Sequence, residues 1–367
     1  MARARFRDFD GVTRPVEASG VSGAAAERAL LVKLRDRSAP SHGDINPETT
    51  IGKLAQVWLA QTVGEQRLAP QTLHGYRRIV ANMVVPGLGG LRLREATVGR
   101  LDRFLRQLAS ARPGAARGAK CVLGQMFALA VRYDAVQSNP VRDTGRLPKN
   151  RRAVRALTLP EVTRVREAVR AWQDPAVWRP GPRHSSVLAD VVDVLLATGG
   201  RIGEVLALRW CDLDLDADPP TVTFAGTMVY VHGHGHLRQD RTKTAAGHRT
   251  LVLPPFAVTT LRRRHDQAGQ QQGEGPVFAT RNGKWITPNQ LRTQWRQARK
   301  DAGLEWVTPH SFRRTVATLL DRKVDTRTAA AQLGHTSETI TAAYYIEKAQ
   351  LAPDASQVLQ VLSCDGA

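Results

Sequence analysis

The C-terminal half of the chain carries a series of cationic side chains followed by a pair of tyrosines. The residues are Arg201, Lys243, His310, Arg313, His335, Tyr344 and Tyr345. Guanidinium, ammonium and imidazole groups suit the charge of a pentacoordinate phosphate, and a tyrosine hydroxyl can attack phosphorus. The sequence around them contains no cluster of acidic metal ligands. This combination predicts phosphoryl transfer without a metal, through a covalent phosphotyrosine.

These residues lie in five motifs that follow one another in a fixed order. The motifs are T-G-G-R-I-G-E-V-L-A-L-R-W (198–210), R-T-K-T (241–244), H-S-F-R-R-T (310–315), L-G-H (333–335) and T-x-x-x-Y (341–345). Their order and spacing resemble the tyrosine recombinases, the class of phage-type integrases. The resemblance implies that Arg201 and Arg313 hold the scissile phosphate and that His310 is catalytic. It also implies that Lys243 protonates the departing 5′ oxygen and that His335 hydrogen-bonds the phosphate.

The nucleophile is left open between two adjacent tyrosines. In the family it follows the histidine of the L-G-H motif by nine or ten residues, which admits both Tyr344 and Tyr345. The spacing from Thr341 favours Tyr345, with Tyr344 as the alternative. In the family's cycle, attack forms a 3′-phosphotyrosine and releases a 5′-hydroxyl, and a 5′-hydroxyl of the partner duplex reverses the step. The phosphodiester energy stays in the protein–DNA bond, so neither ATP nor a cofactor is required.

Local patterns place the first two motifs on predicted elements. A buried helix is predicted over 186–198, ended by Gly199–Gly200, with Arg201 at the opening of the next helix. Residues 221–231 alternate as one strand and 250–253 as another, so the R-T-K-T motif lies between two strands.

The third motif is predicted to begin a helix, and the fourth is predicted to end one. Thr308–Pro309 is a typical helix start, and His310 and Arg313 then share one helix face. The other face is predicted to point into the core through Phe312, Val316 and Leu319. A short helix over 325–333 stops at Gly334, just before His335.

Three histidines at alternate positions form a second possible site. His232, His234 and His236 could line one strand face and bind a metal. Histidines separated by glycines are more typical of a flexible loop tip, and no carboxylate pattern accompanies them. We therefore predict no metal site there.

The charge of the chain indicates a polyanionic partner. Its 367 residues include 53 Lys and Arg against 33 Asp and Glu, a formal net charge of +20. Residues 49–150 hold 16 of the basic and 5 of the acidic residues, a difference of +11. No run of about 18 apolar residues could span a bilayer, so double-stranded DNA is the predicted partner and a membrane is not. The three cysteines lie far apart and fit a reducing compartment, which predicts a cytoplasmic, nucleoid-associated protein.

The predicted fold is mainly α with small β elements, an α+β class, arranged in successive domains. Residues 1–48 are predicted to form a β-β-α unit with a turn at Asp10–Gly11 and a helix over 24–37, resembling an arm-type DNA-binding unit. Its strand would carry Arg3, Arg5 and Arg7 on one face.

The rest of the chain is predicted to hold a DNA-binding domain, a linker and a catalytic domain. Residues 49–146 show one-sided apolar stripes of four helices and resemble the family's core-binding domain. The second of these helices is predicted over 72–84 and the fourth over 119–133. Residues 147–156 form a polar, basic linker, and 157–367 form a mixed α/β catalytic domain of the tyrosine-recombinase type.

The sequence therefore predicts a site-specific DNA recombinase, an integrase of a phage or mobile element. The alternatives are a type IB topoisomerase-like enzyme, a chromosome-dimer-resolving recombinase, or a DNA-binding regulator without catalysis. An amphipathic stretch over 351–362 and the family resemblance predict a homo-tetramer on DNA attachment sites, with accessory DNA-bending or excisionase proteins as further partners.

Overall fold

The structure is a computed structural model that divides the chain into two compact units, Met1–Arg151 and Arg152–Ala367. The described residues are 1–8, 11–38, 45–148, 153–174, 176, 187–231, 233–242, 245–268, 273–300 and 302–347. Helices predominate and short strands accompany them, which is an α+β fold.

The first unit begins with two strands and a helix. Strands β1 (Ala2–Arg7) and β2 (Thr13–Ala18) pair antiparallel, with Arg7 opposite Thr13, and helix α1 spans Gly23–Ser38. Alternate residues of β1 are exposed, so Arg3, Arg5 and Arg7 share the open face of the strand as predicted. The other face packs with Val16 and Leu30 in a small core of its own. Asp10, which was predicted to form the turn with Gly11, lies outside the described residues.

The remainder of the first unit is helical. Its helices are α2 (Ile51–Gly64), α3 (Pro70–Ile79), α4 (Val85–Leu88), α5 (Val98–Ala111) and α6 (Pro113–Arg132). Thr50 caps α2 and Thr97 caps α5, each accepting a backbone N–H three residues on. The apolar stripes meet in one core that includes Leu54, Leu101 and Met126.

Two helix boundaries in this unit differ from the sequence prediction. The helix predicted over 72–84 continues through a π turn, Val80–Val84, into α4, because the wider turn accommodates Pro86, which has no N–H to donate. Helix α6 begins at Pro113, six residues before the predicted start at Ala119. Its first two turns contain mainly glycine and alanine, such as the buried Ala116. These small residues give a weak apolar pattern, so the sequence did not reveal the earlier start.

The second unit combines helices with two small sheets. Its helices are α7 (Leu159–Gln173), α8 (Val187–Thr198), α9 (Ile202–Val205), α10 (Pro255–Ala268), α11 (Pro288–Lys300), α12 (Pro309–Lys323), α13 (Thr326–Leu333) and α14 (Glu338–Tyr344). Its strands are β3 (Leu213–Asp214), β4 (Thr221–Phe224), β5 (Thr227–Val231), β6 (Gly235–Gln239) and β7 (Arg249–Val252). Helix α8 is buried along most of its length and packs against α7, α10, α11 and α12.

The prediction of a single strand over 221–231 is wrong. Its residues form two strands in separate sheets: β4 lies between β3 and β7, whereas β5 pairs with β6 in a hairpin. The chain changes sheets at Gly226, where a Cβ atom would lie 2.8 Å from the backbone oxygen of Gln239. Only glycine fits this close approach without displacement, and apolar alternation alone does not reveal such a break.

Helix α12 buries Phe312 and Val316 as predicted, but the prediction was wrong for Leu319 and did not include Arg313. Leu319 is 48% exposed, whereas Arg313 is fully buried. The guanidinium lies in the interior because backbone carbonyl groups of neighbouring segments surround it, and helical periodicity cannot anticipate those partners. No helix among the described residues is both long and apolar enough to cross a membrane.

Candidate active site

A sharp turn between α8 and α9 positions Arg201. Gly199 adopts a left-handed conformation (φ +65°), and a Cβ atom there would lie 2.7 Å from the Leu333 side chain. Arg201 then caps α9, donating its backbone N–H to Oε2 of Glu204 at 3.0 Å and Nη1 to Oε1 at 2.5 Å. The turn therefore places the arginine of the first motif beside the end of α13, with about a third of its side chain exposed.

A buried carboxylate links Arg201 to a second arginine. Glu204 is 2% exposed and also accepts a bond from Nη2 of Arg249 at 3.1 Å. Burial alone would raise the pKa of Glu204, but the charges of Arg249 and Arg201 outweigh it and hold the pKa below its usual value. The carboxylate is therefore charged at neutral pH and fixes both guanidinium groups.

Arg249 connects this pair to two further segments of the chain. Its Nε donates to the carbonyl oxygen of Gln332 at 2.9 Å, and its Nη1 to that of Gly247 at 2.8 Å. The guanidinium also lies 4.5 Å from the ring centroid of Phe224. Arg249 therefore ties the start of β7 to the last turn of α13.

Arg313 lies at the centre of the cluster. Its Nη1 donates to the carbonyl oxygen of Gly199 at 2.8 Å, and its Nη2 lies 2.6 Å from that of Leu333 and 2.8 Å from Nε2 of His335. Its Nε has no hydrogen-bond acceptor among the described residues. Burial, followed by the charge of Arg201, lowers the pKa of Arg313 to about 10, so the group stays charged at neutral pH.

His335 follows the end of α13. That helix stops at Gly334 in a left-handed conformation (φ +64°), where a Cβ atom would lie 2.5 Å from the carbonyl oxygen of Ala246. Nδ1 of His335 lies 2.8 Å from Oγ1 of Thr341. Burial and the neighbouring charges of Arg313 and Arg201 lower the pKa of His335 to about 4, so the imidazole is neutral at pH 7.

His310 reaches the cluster from the first turn of α12. Desolvation and the charges of Arg314 and Arg313 lower its pKa to about 4, although more than a third of the residue is open to solvent. Its ring lies edge-on to Tyr345, with centroids 5.1 Å apart. A second neutral imidazole therefore borders the same tyrosine.

The two tyrosines lie in different surroundings. The Tyr345 ring centroid lies 4.4 Å from that of His335 and 5.3 Å from Cζ of Arg313. Tyr344, the last residue of α14, is 66% exposed. The helix ends between them, where the backbone of Tyr345 leaves helical geometry (φ −123°), and the Tyr345 ring lies against the cluster.

Lys243, the remaining predicted site residue, lies outside the described residues. On its C-terminal side, Gly247 is held by Arg249, and a Cβ atom at Gly247 would lie 2.6 Å from Oγ1 of Thr242. The predicted amphipathic stretch over 351–362 is likewise outside the described residues. Of the three histidines near the hairpin, His232 is also outside them, and the described part of the chain contains no group of residues that could hold a metal ion.

The sequence did not reveal two residues of this cluster. Arg249 bonds to Glu204, 45 positions away, so it depends on how distant segments pack, whereas Thr341 bonds to His335, six positions away, across the turn between α13 and α14. Thr341 appeared only as a spacing marker in the T-x-x-x-Y motif.

The cluster has the chemistry of a phosphodiester site. Guanidinium groups of Arg201 and Arg313, two neutral imidazoles and one phenol converge on it. Fixed cations in a partly desolvated site stabilise charge that develops on phosphate oxygens. This arrangement of cations, neutral imidazoles and a phenol could bind a phosphodiester and attack its phosphorus.

The comparisons with known proteins agree with this chemistry. The profile described as "Phage integrase family" matches residues 179–351. An integrase of Streptomyces ambofaciens is 28% identical over 320 residues, covering 81% of this chain and 76% of that protein. Tyrosine recombinase XerC of Alcanivorax borkumensis is 24% identical over 298 residues, covering 78% of this chain and 87% of that protein. A lambda integrase tetramer bound to a Holliday junction has the same fold, with a TM-score of 0.61, 16% identity and coverage of 95% and 94%. The chain is therefore similar to integrases and tyrosine recombinases, and the family match covers residues 179–351.

Proposed function

We propose that this protein is a site-specific DNA recombinase that cleaves and rejoins double-stranded DNA through a 3′-phosphotyrosine at Tyr345. One observation carries the choice of nucleophile: the Tyr345 ring contacts His335, His310 and Arg313, whereas Tyr344 faces solvent. A tyrosine has an ordinary pKa near 10, so attack requires help in removing its proton and in stabilising the phosphate. The surroundings of Tyr345 supply both.

The proposed steps assign a role to each member of the cluster. Arg201 and Arg313 hold the non-bridging oxygens of the scissile phosphate, while a neutral imidazole takes the phenolic proton. The Tyr345 oxygen forms a bond to phosphorus as the bond from phosphorus to the 5′ oxygen breaks. Lys243 gives its proton to that leaving oxygen, and a 5′-hydroxyl of the partner duplex reverses the sequence. His310 is the candidate for this base, because its ring lies against Tyr345 and both ring nitrogens of His335 are already hydrogen-bonded.

The remaining regions have proposed roles in gripping DNA. Residues 1–48 would bind arm-type sites through the face that carries Arg3, Arg5 and Arg7, and 49–146 would bind the core site through its excess of basic residues. Residues 147–156 would be the linker and 157–367 the catalytic domain. The solved tetramer of lambda integrase on a Holliday junction supports a tetrameric assembly on DNA.

The biological setting is proposed from the matched relatives. Relatives named integrase support the integration or excision of a phage or mobile element, at attachment sites in the nucleoid, with accessory DNA-bending or excisionase proteins. The comparisons do not favour the alternatives of a topoisomerase, a dimer-resolving recombinase or a regulator without catalysis.

A nicked suicide substrate tests the proposal. Duplexes from the DNA flanking the gene, nicked so that the cleaved end diffuses away, would trap a covalent adduct visible on a denaturing gel. Wild type and Tyr344→Phe should form the adduct, and Tyr345→Phe should not. Loss only in Tyr344→Phe would reverse the nucleophile assignment. No adduct from the wild type on DNA that it binds with sequence preference would overturn the proposed mechanism.

A further inference from the structure

A buried hydroxyl group joins the imidazole of His335 to the segment that carries the nucleophile. Thr341 is fully buried in α14, and its Oγ1 lies 2.8 Å from Nδ1 of His335. Its backbone carbonyl oxygen accepts the N–H groups of Tyr345 at 2.9 Å and Ile346 at 3.2 Å. One residue therefore contacts the histidine through its side chain and the tyrosine through its backbone.

The contacts of His335 determine which ring nitrogen carries the proton. Nε2 lies 2.8 Å from Nη2 of Arg313, and a guanidinium has donors only. Nε2 must therefore accept that bond, and a neutral imidazole then has its single N–H on Nδ1. That N–H points at Oγ1 of Thr341, which accepts it. In the alternative tautomer, the Nε2–H of the ring would face an N–H of Arg313, and neither group could accept the other's proton.

The electrostatic surroundings keep the ring in its neutral form. Burial and the charges of Arg313, Arg201 and Arg249 lower the pKa of His335 to about 4, and only Glu204 opposes them. A proton added at Nε2 would face Arg313 directly. The neutral Nδ1–H tautomer is therefore the form present at physiological pH.

We propose that Thr341 is a positioning residue that holds His335 in its Nδ1–H tautomer, with Nε2 accepting from Arg313, and fixes Tyr345 against that ring. This inference rests on the proposed role of Tyr345 as the nucleophile. It explains why a polar side chain occupies a fully buried position of α14, four residues before the tyrosine. It also gives His335 a task before DNA binds. Its Nε2 accepts a hydrogen bond from Arg313 and so orients the guanidinium.

Three variants separate the hydroxyl group from the space that it fills. Thr341→Val keeps the shape and removes the hydroxyl, whereas Thr341→Ser keeps the hydroxyl and removes a methyl group. Thr260→Val is the matched control, because Thr260 is also buried but bonds to Asp193 on the outer side of α8. All three are compared in the full chain by the rate of adduct formation on saturating suicide substrate and by DNA affinity.

The expected result is a loss of rate without a loss of binding. Thr341→Val should slow adduct formation by about 10- to 100-fold, as when the hydrogen-bond partner of a functional histidine is removed, and change DNA affinity by less than about twofold. Thr341→Ser should recover most of the rate, and Thr260→Val should react like wild type. A Thr341→Val rate equal to wild type, or a Thr341→Ser rate as low as that of Thr341→Val, would overturn the proposal.

Nitrogen NMR of the histidine rings provides a readout that packing alone would not change. In uniformly 15N-labelled protein, the His335 signals, assigned by their loss in His335→Gln, should show a protonated Nδ1 and an unprotonated Nε2. In Thr341→Val the two nitrogens should move toward the averaged values of mixed tautomers. A wild-type spectrum with the proton on Nε2 would reject the inference even if adducts form, whereas a wild type that forms no adduct would reject the proposed function instead.

Discussion

The two units bury different kinds of side chain. Among the described residues, the buried polar side chains of the first unit are Asn139 and Thr144, neither of which is charged. The described part of the second unit buries four charged ones, Asp190, Glu204, Asp212 and Arg313. The first unit carries the larger excess of basic residues for its length, yet it keeps them at the surface. Surface charge suits attraction to a polyanion, whereas buried charge is costly and must be held by fixed partners.

This difference separates two kinds of cation, one at the surface and one in the interior. A surface cation contributes to binding through long-range attraction and counterion release, and its exact position matters little. A buried cation such as Arg313 has its donors fixed before the substrate arrives, which is what stabilising a transition state requires. Substitutions in the two units should therefore change different measured quantities.

The largest effect is expected from Arg313→Lys. An ammonium keeps the charge but lacks the planar fork whose two Nη groups reach Gly199, Leu333 and His335, so adduct formation should fall by about 100- to 1,000-fold. Arg264→Lys is the control, because Arg264 is also largely buried and bonds to Asp190 and the carbonyl oxygen of Val277. Equal losses of rate per folded molecule in both variants would contradict a special role for the buried charge at Arg313.

Glu204→Gln tests the buried carboxylate. The substitution leaves Arg201 and Arg249 without their shared counter-charge, so the free energy of unfolding should fall by about 3 kcal/mol and adduct formation should fall with it. Asp212→Asn should destabilise the unit similarly, since Asp212 bonds to Arg209 and Arg238. The folded fraction of Asp212→Asn should nevertheless form adducts at the wild-type rate, as measured below the unfolding midpoint of each variant.

Removing surface charge from the first unit should weaken binding and leave the chemical step unchanged. The double variant Arg78→Gln, Arg103→Gln removes two exposed cations from α3 and α5. If both contact phosphates, the slope of log affinity against log salt should decrease in magnitude by about 2, with the same adduct rate at saturation. Arg106→Gln is the control, since Arg106 is paired with Asp102 (Nε to Oδ2, 2.7 Å). A reduced rate at saturation would show that these cations also act in the chemical step.

The smallest effect concerns the dependence of stability on pH. The pKa values of His310 and His335 are lowered to about 4 from the ordinary 6.5, so the unfolded chain takes up protons on these rings before the folded chain does. Their contribution to stability is therefore fully present above pH 6.5 and is lost as the pH falls from 6.5 toward 4. In urea unfolding at successive pH values, His335→Gln should show a shallower loss than wild type over this range. Identical slopes would indicate that His335 titrates alike in the folded and unfolded chain.

Much of the fold follows from short-range patterns in the sequence. Thr50, Thr97 and Asp325 each cap a helix, because a side-chain oxygen beside a free backbone N–H acts within three residues. The left-handed glycine after α13 likewise ends that helix where the sequence predicts. Features that depend on contacts between separate elements were not predicted. The strand break at Gly226 and the burial of Arg313 are two examples.

The sequence by itself determined the chemistry available to this protein: the arginines, histidines and tyrosines, their order, and the family that they indicate. The tertiary structure decided which of them work together. It set Tyr345 rather than Tyr344 against the imidazoles, gave Glu204 a second arginine in Arg249, and placed Oγ1 of Thr341 against Nδ1 of His335. These outcomes depend on hydrogen bonds and desolvation between separate elements of the fold, and a linear pattern specifies residue types without specifying their partners.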